Sequence, residues 1–128
     1  MAPMKALQIA KVHESQFITL DRPEPGPNEV LIKVMASGIC GTDIHILEGG
    51  FVADYPVIPG HEAIGRIEKT GSSVPGLTVG QRVTIQPNFS CGNCELCRAG
   101  YKNICPSKVR LGVDTNGVSG TNRSTMER

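Results

Sequence analysis

The sequence predicts a mainly β fold with short helices, built from short strands at the spacing of a barrel or a sandwich. Three observations carry this expectation. The 128 residues include 15 Gly and 9 Pro, an excess that punctuates the chain with turns and weakens helix interiors. Short runs containing apolar and β-branched residues recur along the first 86 positions. Between them stand turn clusters, notably Arg22-Pro23-Glu24-Pro25-Gly26-Pro27 and the Gly/Pro-rich stretch from Gly71 to Gly80.

In chain order, Lys5 to Ala10 and Phe17 to Asp21 are the first candidate strands. Val30-Leu31-Ile32-Lys33-Val34 is the strongest, because β-branched side chains suit a pleated surface. A small-residue break, Ser37 to Thr42, follows, and Thr42 is expected to cap a short helix running through Leu47. Ile64 to Thr70 and Gln81 to Gln86 are further strands. From Cys91 to Pro106 the chain reads as a loop-like lobe with one helical turn at Glu95 to Ala99. Val118 to Arg128 is polar without helical or strand periodicity and is expected to be a disordered or non-native tail.

Composition narrows the function classes. Hydrophobic residues make up 39% and charged residues 20%, as in one ordinary globular domain. The 13 Lys and Arg and 12 Asp and Glu are interspersed, so no basic stripe would track nucleic acid or an anionic membrane. No apolar run approaches the roughly 20 residues of a membrane span. Met1 to Ala10 lacks the apolar core of a signal peptide, so a cytoplasmic protein is expected. In that compartment the 5 cysteines favour metal binding over disulfides.

Four of those cysteines are clustered as C-x2-C-x2-C-x7-C: Cys91, Cys94, Cys97 and Cys105. Gly92 and Asn93 allow the tight turn that lets neighbouring thiolates converge, and a fourth closes a tetrahedron. A closed set of soft ligands suits structural zinc. An iron–sulfur cluster is the rival, since Pro106 follows Cys105 as in bacterial ferredoxin runs, but the last gap of seven does not match the three of those runs. Buried free cysteines acting as small hydrophobes are the plain alternative.

Cys40 stands apart, and downstream of it lies Pro59-Gly60-His61-Glu62-Ala63-Ile64-Gly65. A lone cysteine or histidine is ordinarily packing. Together Cys40, His61 and Glu62 offer a thiolate, an imidazole and a carboxylate, a ligand set for an open catalytic zinc position.

With Gly38-Ile39-Cys40-Gly41-Thr42-Asp43-Ile44-His45, Gly60-His61-Glu62-Ala63-Ile64-Gly65 and the cysteine lobe in this order, the chain from about Met4 to Gly117 resembles the zinc-containing medium-chain alcohol and polyol dehydrogenases. The resemblance implies a GroES-like barrel over residues 1–117, with the structural zinc lobe at 91–106. It implies two zinc ions per chain. Cys40, His61 and Glu62 match the catalytic zinc site, and Cys91, Cys94, Cys97 and Cys105 the structural one. Thr42 matches the hydroxyl that bonds the substrate oxygen, and His45 the imidazole that passes its proton to solvent. Taken alone, Thr42 would be a helix cap and His45 a solvated helix residue.

The implied partners are a small alcohol or polyol, with NAD or NADP as cofactor, and the family leaves room for a homo-oligomer. Gly41, where ethanol-type members often carry a basic residue, points towards the polyol, threonine and secondary-alcohol branches. The family's Rossmann domain carries a G-x-G-x-x-G turn, and these 128 residues contain none. Turnover by this chain alone is therefore not implied. Family-like sequence is expected to stop after Gly117, as after a frameshift, an altered splice or a shortened chain. The alternative is a non-catalytic, stand-alone zinc-binding or interaction module.

Overall fold

A computed structural model describes residues 3–120 and 122–126. Strand β1 (Pro3–Lys11) pairs antiparallel with β2 (Glu14–Asp21), Met4 facing Leu20 and Ala6 facing Ile18. β1 buries Met4, Ala6 and Ile9, while Lys5 between the first two is exposed, the alternation expected of a strand with one face inward. Ile58 completes the cluster formed by Met4 and Ala6, with Ile18 and Leu20 packed on it.

The main sheet is built on β3 (Glu29–Gly38), which buries Val30, Leu31 and Ile32 in succession. Leu31 is fully enclosed, a burial worth about 2 kcal/mol. β3 pairs antiparallel with β4 (Glu62–Thr70), which in turn pairs with β5 (Arg82–Thr84). Gly65 is required at this crossing, because a Cβ there would lie 2.4 Å from the Lys33 carbonyl oxygen. The register sets Gly38 opposite Glu62, so the end of β3 and the start of β4 lie side by side. Residues just after one and just before the other are thereby brought together.

Helix α1 (Gly41–Glu48) leaves β3 at that end. Its N-cap is Cys40 and not Thr42, which lies in the first turn; the side chain that meets a free backbone N–H is that of Asp43, whose Oδ2 accepts from Cys40 N–H at 3.0 Å. Gly49 stops the helix in the left-handed conformation, φ 80°. Ile46 is buried with Ile9, Val57 and Val113, fixing α1 on the β1 side of the core.

Beyond β5 the small hairpin of β6 (Asn88–Phe89) and β7 (Val109–Arg110) frames the cysteine lobe. The lobe holds α2 (Glu95–Arg98) and a 3-10 turn at Lys102–Ile104. The strand expected over Gln81 to Gln86 pairs with β4 only over Arg82–Thr84.

The expected tail at 118–128 is corrected by the structure over its described part. Val118 is 1% exposed and packs with Ala63 and Leu111; Gly120 bridges Ala6. β8 (Asn122–Met126) then pairs antiparallel with β3, Glu29 opposite Met126, giving the order β5-β4-β3-β8. Backbone pairing orders this segment without an apolar alternation in its sequence. Residues 121, 127 and 128 of the expected tail lie outside the described residues. Among the described residues no helix is long and apolar enough to cross a membrane.

Candidate metal centres

The cysteine lobe has almost no apolar interior. Within residues 91–106 only Cys97 and Cys105 are buried, at 5% and 2% exposure, whereas Tyr101 and Ile104 are exposed. What organises the lobe is a set of backbone N–H groups directed at sulfur. Asn93 and Cys94 donate to Cys91 Sγ at 3.4 and 3.3 Å, Cys97 donates to Cys94 Sγ at 3.4 Å, and Cys91 donates to Cys105 Sγ at 3.4 Å. Gly92, at φ 74°, permits the turn that aims the first two.

All four sulfurs lie within 4.8 Å of one another, and none is in a disulfide. Cys91 and Cys97 Sγ are 3.9 Å apart, and Cys94 and Cys105 Sγ 4.0 Å. A bonded pair would sit at about 2.05 Å. The edge of a tetrahedron with zinc–sulfur bonds of 2.3 Å is about 3.8 Å, so the donor set fits a four-coordinate zinc ion. The thiols are already differentiated. The backbone N–H groups of Asn93 and then Cys94 lower Cys91 to about 6, whereas desolvation raises Cys97 to about 11. Full ionisation of such a cluster calls for a cation among the sulfurs.

The second constellation forms where β3 and β4 meet. Cys40 caps α1, His61 precedes β4 and Glu62 opens it; one ligand atom from each lies within 4.8 Å of the others. The side chain of His61 is 16% exposed, that of Glu62 54%, and Cys40 is half-buried. Its Nδ1 is buried without a hydrogen bond and sits 3.7 Å from Asp43 Oδ1; Nε2 lies 4.0 Å from Glu62 Oε1. Gly38 leaves room for the carboxylate, since a Cβ there would lie 2.6 Å from Glu62 Oε2. The imidazole, turned with Nε2 towards Glu62 and Nδ1 towards Asp43, together with a thiol and a carboxylate in the space that Gly38 leaves beside Glu62, fits a divalent metal with a further position free.

Asp43 is the functional residue that sequence reasoning missed. Buried at 9% exposure, it accepts from Cys40 N–H through Oδ2 and from Gly60 N–H at 3.2 Å through Oδ1. One carboxylate thus ties the Cys40 turn to the loop that carries His61. Its position three residues after a helix-capping residue was the available signal.

Thr42 and His45 occupy adjacent turns of α1, three residues apart and so on one side of the helix. Thr42 Oγ1 accepts from Cys40 Sγ at 3.7 Å, beside the second constellation, and His45 is exposed. A cleft of about 500 Å³ opens against the site, lined by Ala36, Gly38, His61, Glu62, Ile64 and Pro87 among others.

A family model, that of the alcohol dehydrogenase GroES-like domain, matches residues 26–126. The chain belongs to that family. The GroES-like match runs past Gly117 and takes in β8. Relatives include the L-threonine 3-dehydrogenase of Xanthomonas campestris pv. campestris (strain B100), 44% identical over 122 residues, which covers 90% of this chain and 35% of that protein. That of Pyrococcus horikoshii is 43% identical over 108 residues, 81% of this chain and 31% of the relative. This GroES-like chain therefore spans about a third of the length of these relatives.

Solved structures agree with the assignment. A protein from Sinorhizobium meliloti 1021, described as a zinc-binding dehydrogenase and bound to NADP, superposes with a TM-score of 0.94 at 38% identity, over 98% of this chain and 37% of that one. A cobalt- and zinc-bound thermostable alcohol dehydrogenase from Pyrobaculum aerophilum gives 0.88 at 28% identity, over 98% of this chain and 40% of that one.

Proposed function

We propose that this chain is the zinc-binding catalytic-domain segment of an NAD(P)-dependent dehydrogenase acting on the CH–OH group of a small alcohol or polyol, with the hydroxy amino acid L-threonine within that class. The observation that carries the reading is the convergence of one ligand atom each from Cys40, His61 and Glu62 to within 4.8 Å of one another. The names of the relatives support the substrate class.

In this reading Cys40, His61 and Glu62 hold the catalytic zinc, while Cys91, Cys94, Cys97 and Cys105 hold a structural one. Zinc at the first position supplies a Lewis acid that makes an alcohol oxygen easier to deprotonate near neutrality. Thr42 orients the substrate hydroxyl and takes part in moving its proton, and exposed His45 passes that proton to solvent. Asp43 keeps the His61 loop and the Cys40 turn in register. The cleft beside Glu62 admits the substrate, and a nicotinamide, when bound, would supply the hydride acceptor. A cytoplasmic location and a homo-oligomer belong to the same proposal.

Metal counting on the purified chain tests it. Two zinc ions per chain are expected, and Cys40→Ser should leave one. A wild-type chain holding a single zinc, unchanged by Cys40→Ser, would favour the non-catalytic zinc module instead.

A further inference from the structure

The loop that delivers His61 has little regular structure of its own, and a segment far along the chain holds it. Ile58 N–H donates to the side-chain Oδ1 of Asn116 at 2.9 Å. Gly117 N–H donates to the Ile58 carbonyl at 2.6 Å, Ser119 N–H to that of Pro59 at 3.0 Å, and Val118 N–H to that of Gly60 at 3.0 Å. Each residue from Ile58 to Gly60 is thus bonded to the stretch from Asn116 to Ser119. Backbone packs directly on backbone here. A Cβ on Gly117 would lie 2.0 Å from the Gly60 carbonyl oxygen, and one on Gly112 would lie 2.7 Å from the same atom. Gly117 is not among the positive-φ glycines, so proximity to Gly60, not backbone conformation, is what excludes a side chain there.

We propose that Asn116–Ser119 is a splint for the Cys40–His61–Glu62 centre, with Asn116 and Gly117 as positioning residues for His61. The inference rests on the reading that this centre holds a metal ion. His61 directly follows Gly60, which is in the left-handed conformation at φ 94° and whose N–H is already committed to Asp43. The imidazole therefore inherits its position from the bonds on residues 58–60. Val118 extends the same support, packing on Ala63 next to Glu62. A partly exposed three-ligand centre depends on such preorganisation, and loss of outer supporting partners costs metal affinity by about 10- to 100-fold.

Titration of the whole chain with Co2+ reads the two centres separately, because a four-thiolate cobalt site absorbs strongly in the visible and a mixed sulfur, nitrogen and oxygen site more weakly. The wild-type chain should take up two equivalents. Gly117→Ala should keep the four-thiolate bands and bind the second cobalt at least about tenfold more weakly. If Gly117→Ala does not fold, Asn116→Ala and Asn116→Asp decide: alanine should weaken the second site, and aspartate, which still offers Ile58 an acceptor oxygen, should restore it. Unchanged second-site affinity in the alanine variants, no rescue by aspartate, or equal loss of the four-thiolate bands would each overturn the splint. A wild-type chain that takes up one cobalt only would overturn the metal-centre reading itself, and the splint with it.

Discussion

Replacing Cys94 by serine isolates the metal's share in holding the lobe. Cys94 is the N-cap of α2, its sulfur accepting from Cys97 N–H at 3.4 Å, and it faces Cys105 Sγ at 4.0 Å. Serine is itself a favoured N-cap, so the helix start survives and the lost function is metal ligation. Binding of zinc to a closed structural site is worth about 10–16 kcal/mol. Shared among four ligands this is about 2.5–4 kcal/mol each, which weakens binding by about 10²- to 10³-fold. Residues 91–106 bury only Cys97 and Cys105, so no apolar core compensates. Competition with a chromogenic chelator should show one zinc released far more readily, and hydrogen exchange should show the Cys97 and Tyr101 amides losing protection. The Cys40 centre should keep its metal. Retention of both zinc ions at wild-type affinity would refute the argument that ligation holds the lobe.

Other consequences are equally accessible. Gly38→Ala places a Cβ 2.6 Å from Glu62 Oε2 and should turn that carboxylate away, lowering second-site zinc affinity about tenfold with little change in thermal stability; an unchanged affinity in isothermal titration would contradict Glu62 as a ligand. Asp43→Ala leaves the Cys40 and Gly60 N–H groups without their acceptor and should cost about 3 kcal/mol in urea unfolding, a loss below about 0.5 kcal/mol contradicting its bridging role. Acid should also weaken the fold through Asp114. The Arg110 guanidinium, bonded at 2.7 and 2.8 Å, holds this carboxyl below its ordinary value of 3.8. The pair therefore stabilises the fold fully above that value, and the contribution is lost as pH falls through the lowered folded-state value. Asp114→Asn should flatten the acid limb of a stability–pH curve; an unchanged limb would remove the pair from the account.

What was legible in the sequence was local. Val30 to Val34 declared a strand through its β-branched residues, and the cysteine spacing declared a lobe because ligands two residues apart converge on one turn. Cys40, His61 and Glu62 were legible as a candidate ligand set from their residue types, and the resemblance strengthened it, but the β3–β4 register that joins them is long-range and was not legible. The same distance hid the splint: nothing near Asn116 announces Ile58. Thr42 looked like the cap because its side chain is a good one, but the helix begins one residue after Cys40 and Asp43 meets the free N–H. β8 escaped because a polar strand held by its backbone needs no apolar period. Asp43 escaped because a first-turn acid ordinarily serves the helix alone.

The central claim is two metal centres of different chemistry in one chain, and zinc K-edge absorption on the metal-loaded protein tests it most directly. Five thiolates shared by two ions give an average of about 2.5 sulfurs per zinc, with nitrogen or oxygen scatterers at about 2.0–2.1 Å beside sulfur at about 2.3 Å. That average, with two zinc ions per chain, is the expected result. A single zinc surrounded by four sulfurs and no lighter neighbour would contradict the account.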